Sequence, residues 1–365
     1  MDDRDFEWLH FANAELSPRA AHAVLDRFGS PSAVLQADPD ALADVAELTE
    51  DQRARLLDAA RAPTTEHVAL FDRLGLHIIP RDSPDYPPLL RQTPERPPVL
   101  LVRGDLDERD QFAVAIVGTR RPSPYGREVA AKLARDLAEM GFTIVSGGAV
   151  GIDTAAHAAV VRSGGRTVVV LGCGLDVPYP SLNQALFRDV VESGLGALIT
   201  EFPLGAQPEA WRFPARNRII SGMSLGVVVV EAGQQSGALI TAGTAADQGR
   251  DVMAVPGNID RPHSMGANAL IRDGAALVTC AQDVINALGV LVLERPKDQT
   301  PSSREAELPE VQRRLISHLN LTPKHIDVLA AEAGVGTAEA SAQLTLLELA
   351  GLIHRQPGGC FIRAL

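Results

Sequence analysis

The spacing of apolar and polar positions changes character along the chain. In residues 1–75, apolar positions such as Ala20, Val24, Leu25 and Phe28 recur at helical intervals, and Gly29-Ser30-Pro31 breaks the run. Two more short helices are predicted around Ser32–Gln36 and Asp51–Ala60. Residues 76–110 carry Pro80, Pro84, Pro87, Pro88, Pro94, Pro97 and Pro98, so the run Val99–Val102 reads as a strand with an extended lead-in. From residue 113 onward, short apolar runs alternate with helical patterns. The predicted strands are Ala113–Val117, Phe142–Ser146, Thr167–Leu171, Ala197–Thr200, Val227–Glu231, Val252–Val255 and Ala276–Val278. The amphipathic stretch Tyr125–Met140 predicts a helix stopped by Gly141.

Alternating strands and helices imply a mainly parallel sheet covered on both faces. The fold class expected is therefore α/β, a doubly wound Rossmann-like domain over residues 76–293. Residues 1–75 are expected to be a helical, SAM-like domain in front of it. Residues 294–309 are polar and contain prolines, the composition of a linker. Beyond it lie three helix-sized segments, about 309–319, 323–333 and 338–350, with Thr322-Pro323 as N-cap and first helical residue of the second. Ile353–Arg355 and Cys360–Arg363 flank Pro357-Gly358-Gly359, a hairpin signal. Three helices and a hairpin predict a winged-helix domain at 310–365.

Composition narrows the functional classes. The chain has 365 residues, 45% hydrophobic and 22% charged, which suits folded domains and excludes disorder throughout. Its longest apolar stretches are strand-length, well under the ~20 residues of a membrane helix, so no membrane segment is expected. The acidic start MDDRDFEWLH has no apolar core for a signal peptide. Cys173, Cys280 and Cys360 are not in CxxC spacing, so neither a zinc site nor a disulfide framework is expected. These features predict a reduced, cytoplasmic protein. The net charge of −12 argues against nucleic acid until its distribution is considered. Residues 1–112 hold 12 Lys+Arg and 22 Asp+Glu, whereas residues 113–290 hold 14 and 15. The middle of the chain is almost neutral and has room for a local basic groove.

Four strand-end motifs carry candidate chemistry. Gly118-Thr119-Arg120-Arg121, after the first strand of the sheet pattern, is a glycine turn into a helix. It suits a phosphate or is simply a tight turn with a surface arginine. Ser146-Gly147-Gly148-Ala149-Val150-Gly151 repeats the arrangement and leads to Asp153 and His157 on one helical face. A third ligand at metal spacing is missing there, so a capping Asp and a structural His are the better reading. Gly172-Cys173-Gly174 lacks the third glycine of a dinucleotide fingerprint, and Phe187 beyond it is either core or a stacking platform. The fourth, Trp211-Arg212-Phe213-Pro214-Ala215-Arg216-Asn217-Arg218, puts three arginines and two aromatics within eight residues. Arginines clamp phosphates and aromatics stack on unpaired bases, the mixture expected for single-stranded nucleic acid. Glu231 could serve as a base, but no nucleophile or second acid stands near it in sequence.

The succession VGTRRPSPYG, SGGAVGIDTAAH, GCGLDVPYPSLN, FPARNRIISG, SGALITA, QGRDVMAVPG and GANALIRDGA resembles the DNA-processing protein A family, also called Smf. Seven ordered motifs over roughly residues 77–290 carry the resemblance. It implies a cofactor-free protein, not an enzyme, that binds single-stranded DNA during natural transformation, protects it and loads RecA on it as a homodimer. By position it implies Arg120 on a phosphate, with Gly118 and Thr119 shaping the turn and Ser146, Gly147 and Gly148 lining the same pocket. Arg216, Asn217 and Arg218 stand beside them, and Phe187 is placed to stack on a base. Gln184 stands where many relatives offer a basic residue, leaving that contact unmade or to Arg188. The last motif implies a dimer patch of Leu270, Ile271 and Leu277, with ordinary core packing as the rival for Leu277. The alternative function is a nucleotide-processing enzyme resembling the lysine-decarboxylase-like phosphoribohydrolases, whose PGGxGTxxE loop this chain lacks. The segment from Lys324 to Arg355 has no lysine or arginine between them but holds Asp327, Glu332, Glu339 and Glu348, so the winged helix is expected to contact protein rather than read DNA.

Overall fold

The computed structural model describes residues 2–177, 179–289, 308–319, 324–349, 352–356 and 358–363. The chain divides into two compact units, residues 1–291 and 292–365.

The first unit opens with six helices: α1 Asp3–Asn13, α2 Pro18–Phe28, α3 Pro31–Leu35, α4 Pro39–Ala43, α5 Glu50–Leu57 and α6 Thr65–Leu74. Helix α2 starts as its sequence dictates. The Ser17 hydroxyl accepts the Ala20 N–H, Pro18 fills the first turn, and Gly29 closes it at φ 85°. Nine strands follow among the described residues: β1 Leu76–Pro80, β2 Val99–Gly104, β3 Ala113–Gly118, β4 Thr143–Ser146, β5 Thr167–Val170, β6 Gly196–Thr200, β7 Gly226–Val230, β8 Asp251–Ala254 and β9 Ala276–Leu277. They form one sheet in the order β1-β2-β6-β5-β4-β3-β7-β8-β9. The run from β6 to β9 is parallel, while β1 and β2 are antiparallel additions at one edge. Strand β1 escapes the sequence pattern because it ends on Pro80, a residue that an edge strand accepts where a central strand does not.

The intervening helices are α7 Pro88–Arg91, α8 Pro124–Glu139, α9 Ile152–Arg162, α10 Gln184–Glu192, α11 Arg212–Gly222, α12 Gly237–Asp247, α13 Met265–Arg272 and α14 Ala281–Leu288. Strand side chains alternate between two cores, as period two requires. Ala113, Ala115, Val117, Val227 and Val229 meet α11, α12 and α13 on one face. Val114, Ile116, Val228 and Val230 meet α8, α9 and α14 on the other. Beyond β4 that second face is covered by α10 and the N-terminal helices. Trp8, Phe11, Val24, Leu42 and Phe71 share one cluster with Val99, Leu101, Val169 and Phe187. The residues before 75 therefore have no core separate from the sheet.

The sheet reverses direction of growth between β3 and β7, the topological switch point of an open parallel sheet. Its opposite, N-terminal edge is pinned by a buried ion pair. Arg166 Nε and Nη2 donate to the two Asp110 carboxylate oxygens at 2.7 and 2.6 Å, and Nη2 also reaches the Asp105 carbonyl at 2.7 Å.

The second unit contains α15 Glu310–Ser317, α16 Ile326–Ala333 and α17 Thr337–Leu349, with β10 Lys324–His325 and the hairpin β11 Ile353–Gln356 and β12 Cys360–Arg363 in the order β10-β12-β11. This is a winged helix around Leu315, Leu329, Leu344 and Phe361. Thr322, Pro323 and Pro357, expected as cap, first helical residue and turn, lie outside the described residues, as does most of the expected linker. His325 caps α16 instead, accepting the Asp327 N–H through its ring at 3.3 Å.

Removing one member of a buried, hydrogen-bonded ion pair leaves the other charge unpaired, at a cost of about 3–5 kcal/mol. Arg166→Ala is expected to lose that much stability in a urea melt, with the unfolding slope unchanged.

Candidate nucleic-acid interface

The ends of β3, β4 and β7 open on a cleft of roughly 800 Å³ at the switch point. Four of the segments that line it carry the residues singled out from the sequence.

The first carries Gly118, Thr119 and Arg120. Gly118 ends β3, and the Thr119 N–H donates to the Glu231 carbonyl at 2.8 Å. At the far end of the turn, the Ser123 N–H donates to a Glu231 carboxylate oxygen at 2.9 Å, and the Ser123 hydroxyl donates to the other. Glu231 thus anchors both ends of the turn, at φ 52°, a left-handed conformation unusual for glutamate. Its carboxylate stands at the start of α8, where the helix favours negative charge. Glu231 is therefore a clamp, not a free base. Arg120 is exposed, with its guanidinium carbon 5.2 Å from the centre of the Phe213 ring.

The second segment is the glycine loop after β4. Ser146 is fully buried, and its hydroxyl donates to the Ile116 carbonyl at 2.6 Å, so it supports the loop from below rather than lining the pocket. Asp153 accepts the Gly147 and Ala149 N–H groups at 3.1 and 3.3 Å. The Gly148 carbonyl accepts from Asn183 at 2.9 Å. Gly151 sits at φ 100°, and a Cβ there would fall 2.4 Å from the Thr119 carbonyl, so the two loops touch only because this residue is glycine.

The third segment, α11, distributes the arginine cluster. Arg216 is 4% exposed and lines the cleft. Its Nη1 donates to the Gly147 carbonyl at 2.7 Å and to the Val170 carbonyl, while its Nε has no partner among the described residues. Burial lowers its pKa to about 10. Asn217 is half-buried on the same wall. Arg218 departs from expectation. It is 8% exposed, gives two hydrogen bonds to the Glu201 carboxylate and another to the Glu95 carbonyl at 2.8 Å. All its charge is used inside the protein, 200° around the helix from Arg216. Arg212 pairs with Glu15 of the N-terminal helices at 2.8 Å and lies over Phe202 and Trp211.

The fourth segment supplies the aromatic wall. Phe187 is not on it. That ring is 5% exposed and packs beneath Gly148 and against Val169. The rings that do line the cleft are Phe213 and Tyr179, with centroids 5.6 Å apart and Arg120 over Phe213. The sequence signal for Phe213 was its place between two arginines; Tyr179 follows the GCG strand end with nothing else to mark it. Gln184 is exposed at the start of α10, and Arg188 lies 4.0 Å from Glu192. Among the described residues, no group of three or more His, Cys, Asp or Glu could hold a metal ion.

His157 lies fully buried below the glycine loop, with Nδ1 2.7 Å from the Thr167 hydroxyl. Burial, aided by the Arg216 charge, lowers its pKa to about 3 from an ordinary 6.5. Between those values the unfolded chain binds a proton that the folded chain refuses, so stability falls as pH drops through that window. Asp153 works in the opposite sense, since burial raises its pKa. In urea melts between pH 6.5 and 4, His157→Gln is expected to flatten the pH dependence by up to one proton, about 1.4 kcal/mol per pH unit.

The profile of the family described as DNA recombination-mediator protein A matches residues 77–289, and that of the DprA winged helix domain matches residues 299–359. Protein Smf of Escherichia coli is 40% identical over 317 residues, covering 86% of this chain and 84% of the relative. The X-ray structure of DNA processing protein A from Streptococcus pneumoniae is 35% identical with a TM-score of 0.66, covering 78% of this chain and 98% of that one. A structure of DNA processing protein A from Helicobacter pylori, described for its single-stranded DNA binding mode, is 30% identical with a TM-score of 0.52 and covers 58% and 95%. With more than half its length matched by one family, and a relative at this identity covered over most of its own length, the chain belongs to the DNA recombination-mediator protein A family.

Proposed function

We propose that this protein binds single-stranded DNA in the switch-point cleft and acts as a non-enzymatic mediator that protects the strand and loads RecA on it in natural transformation. The observation that carries the binding step is the wall of Arg120, Phe213 and Tyr179 above the buried Arg216. Arg120 takes a phosphate, Phe213 and Tyr179 take base faces, and Asn217 reaches a base edge or the sugar–phosphate chain. Unpaired bases can turn into such a cleft, whereas the bases of a duplex are held in their stack. The protective and RecA-loading roles and a cytoplasmic location extend the family resemblance to this chain. Among the described residues, no helix is long and apolar enough to cross a membrane. The winged helix is left out of the DNA site: Lys324 is paired with Glu332 at 2.8 Å, and Asp327 and Glu339 on its helices are exposed.

The protein is further proposed to work as a homodimer through the sheet edge at β9. Leu277 on that last strand is 50% exposed, and among the described residues β9 pairs on one side alone, with β8. Leu270 and Ile271 are partly buried against the sheet core, so Leu277 is the residue of the three most open to a partner copy.

Fluorescence anisotropy with labelled single and double strands tests the cleft. Single strands are expected to bind tighter than duplex. Phe213→Ala is expected to remove about 1–3 kcal/mol, roughly 5- to 150-fold in affinity. Arg120→Ala should weaken every sequence alike and reduce the salt slope by about 0.7. Equal affinity for duplex and single strand overturns the reading. RecA-dependent ATP hydrolysis on strands coated with a single-strand-binding protein, with and without the protein, tests the loading role.

Leu277→Glu should give monomers in light scattering that still bind a short single strand, because the whole cleft lies in one protomer. A variant that stays dimeric removes β9 from the interface.

A further inference from the structure

The arginine and aromatic wall is not the whole lining of the cleft. The start of α12 lines it too, with Ser236, Gly237 and Thr241. The Ser236 hydroxyl caps the helix by accepting the Ala238 N–H at 3.3 Å, and the Leu239 N–H donates to the Ser236 carbonyl at 3.0 Å. That leaves the Gly237 N–H without an acceptor among the described residues and open to the cleft.

A helix start alone specifies nothing, but Thr241 adds an independent observation. It is 2% exposed, it lines the cleft, and its hydroxyl has no hydrogen-bond partner among the described residues. Side chains on a helix lean toward its N-terminus, so a threonine one turn in carries its hydroxyl toward the Gly237 end. A hydroxyl that a buried residue presents to a cleft, without a protein partner, is expected to meet a ligand or water there. The residues from Gly237 to Thr241 carry no charge. The acid that shares the cleft, Asp153, holds the N–H groups of Gly147 and Ala149. The surroundings therefore offer donors and a positive helix end to an acceptor-only, anionic group.

We propose that Thr241 and the N-terminus of α12 form a second phosphate subsite in the cleft, separate from Arg120. The inference rests on the single-strand reading and adds to it which residues of α12 meet the strand. The phosphate is either an internal diester of the strand held by Arg120 or a terminal 5′-phosphate.

The experiment uses the full chain and short oligo-dT strands with a 5′-hydroxyl, with a 5′-phosphate, or with one linkage at a time replaced by neutral methylphosphonate. The variants are Thr241→Val, Thr241→Ser and Ser236→Asp, the last keeping a good helix cap while adding a negative charge. A hydrogen bond to a charged group predicts that Thr241→Val weakens binding about tenfold or more. Ser236→Asp should weaken it too, and Thr241→Ser should restore it. Wild type should lose affinity at particular neutral linkages. Thr241→Val should become insensitive at one of them and Arg120→Ala at a different one. Thr241-dependence confined to the 5′-phosphate strand assigns the terminal group; dependence on an internal linkage assigns the diester. Thr241→Val binding every strand as tightly as wild type, while Arg120→Ala does not, overturns the second subsite alone. So does a loss for Thr241→Val that no phosphate modification alters. Failure of wild type to bind any single strand overturns the cleft reading and this subsite together.

Discussion

The guanidinium of Arg216 is the contact on which the cleft depends. It lies where β4 and β5 end and joins α11 to both through the carbonyls of Gly147 and Val170. A buried cation is costly unless its donors are met, and these two carbonyls point into space that no backbone ladder fills. Lysine would bring a point charge without the planar fork that reaches both. The arrangement also requires Gly147, since a Cβ there would sit 2.7 Å from the Arg216 guanidinium. With the loop fixed this way, Gly151 can rest against the backbone of Thr119 and Arg120, and Glu231 closes the turn from the other side. The exposed arginine is thus held by a chain of contacts that begins at a buried one.

One acid, Asp153, lines a cleft read as anion-binding and a second, Glu231, stands behind its first turn, and their bonding explains how acids and an anion site coexist. Asp153 gives its carboxylate to the N–H groups of the glycine loop, and Glu231 gives its own to Ser123 at the start of α8. Each acid faces backbone donors that a helix start or a tight loop would otherwise leave unpaired. Burial pushes the Asp153 carboxyl up while Arg216 pulls it down, so its charge is matched inside the protein before any ligand arrives. The same pair of effects keeps His157 neutral, which spares the loop a second cation beside Arg216.

The sheet was legible because its strands are continuous apolar runs between glycine turns; β3 and β7 read directly from AVAIVG and GVVVV. The N-terminal helices read as a separate domain because helical spacing reports which face is apolar, not what it packs against. Their apolar faces share a cluster with the sheet. The site was legible by segment and not by side chain. Arg212, Arg216 and Arg218 are neighbours in sequence, but on a helix positions 212 and 216 share a face while 218 turns away. Nothing local announces Glu201 or Glu15, which take up two of the three charges. Phe187 and Phe213 could each have been core or platform. Which became which depends on Val169 and Gly148 closing over one ring and Arg120 lying over the other. These are tertiary contacts that residue spacing does not encode.

Charge distribution sets the character of binding in such a cleft. The whole chain carries −12, with the excess in the N-terminal third, while residues 113–290 are close to neutral. A long-range field that draws DNA in is therefore absent, and screening over about 8 Å at physiological salt keeps the acidic helices from dominating the cleft. Affinity must come instead from groups already held in place. Arg120 rests on Phe213, and the loops around them are fixed by Arg216, Asp153 and Glu231, so little side-chain freedom is lost when a strand arrives. The proposed hold on DNA would then come through a slow release more than a fast capture. That suits a chain whose proposed task is to keep a strand covered until another protein replaces it.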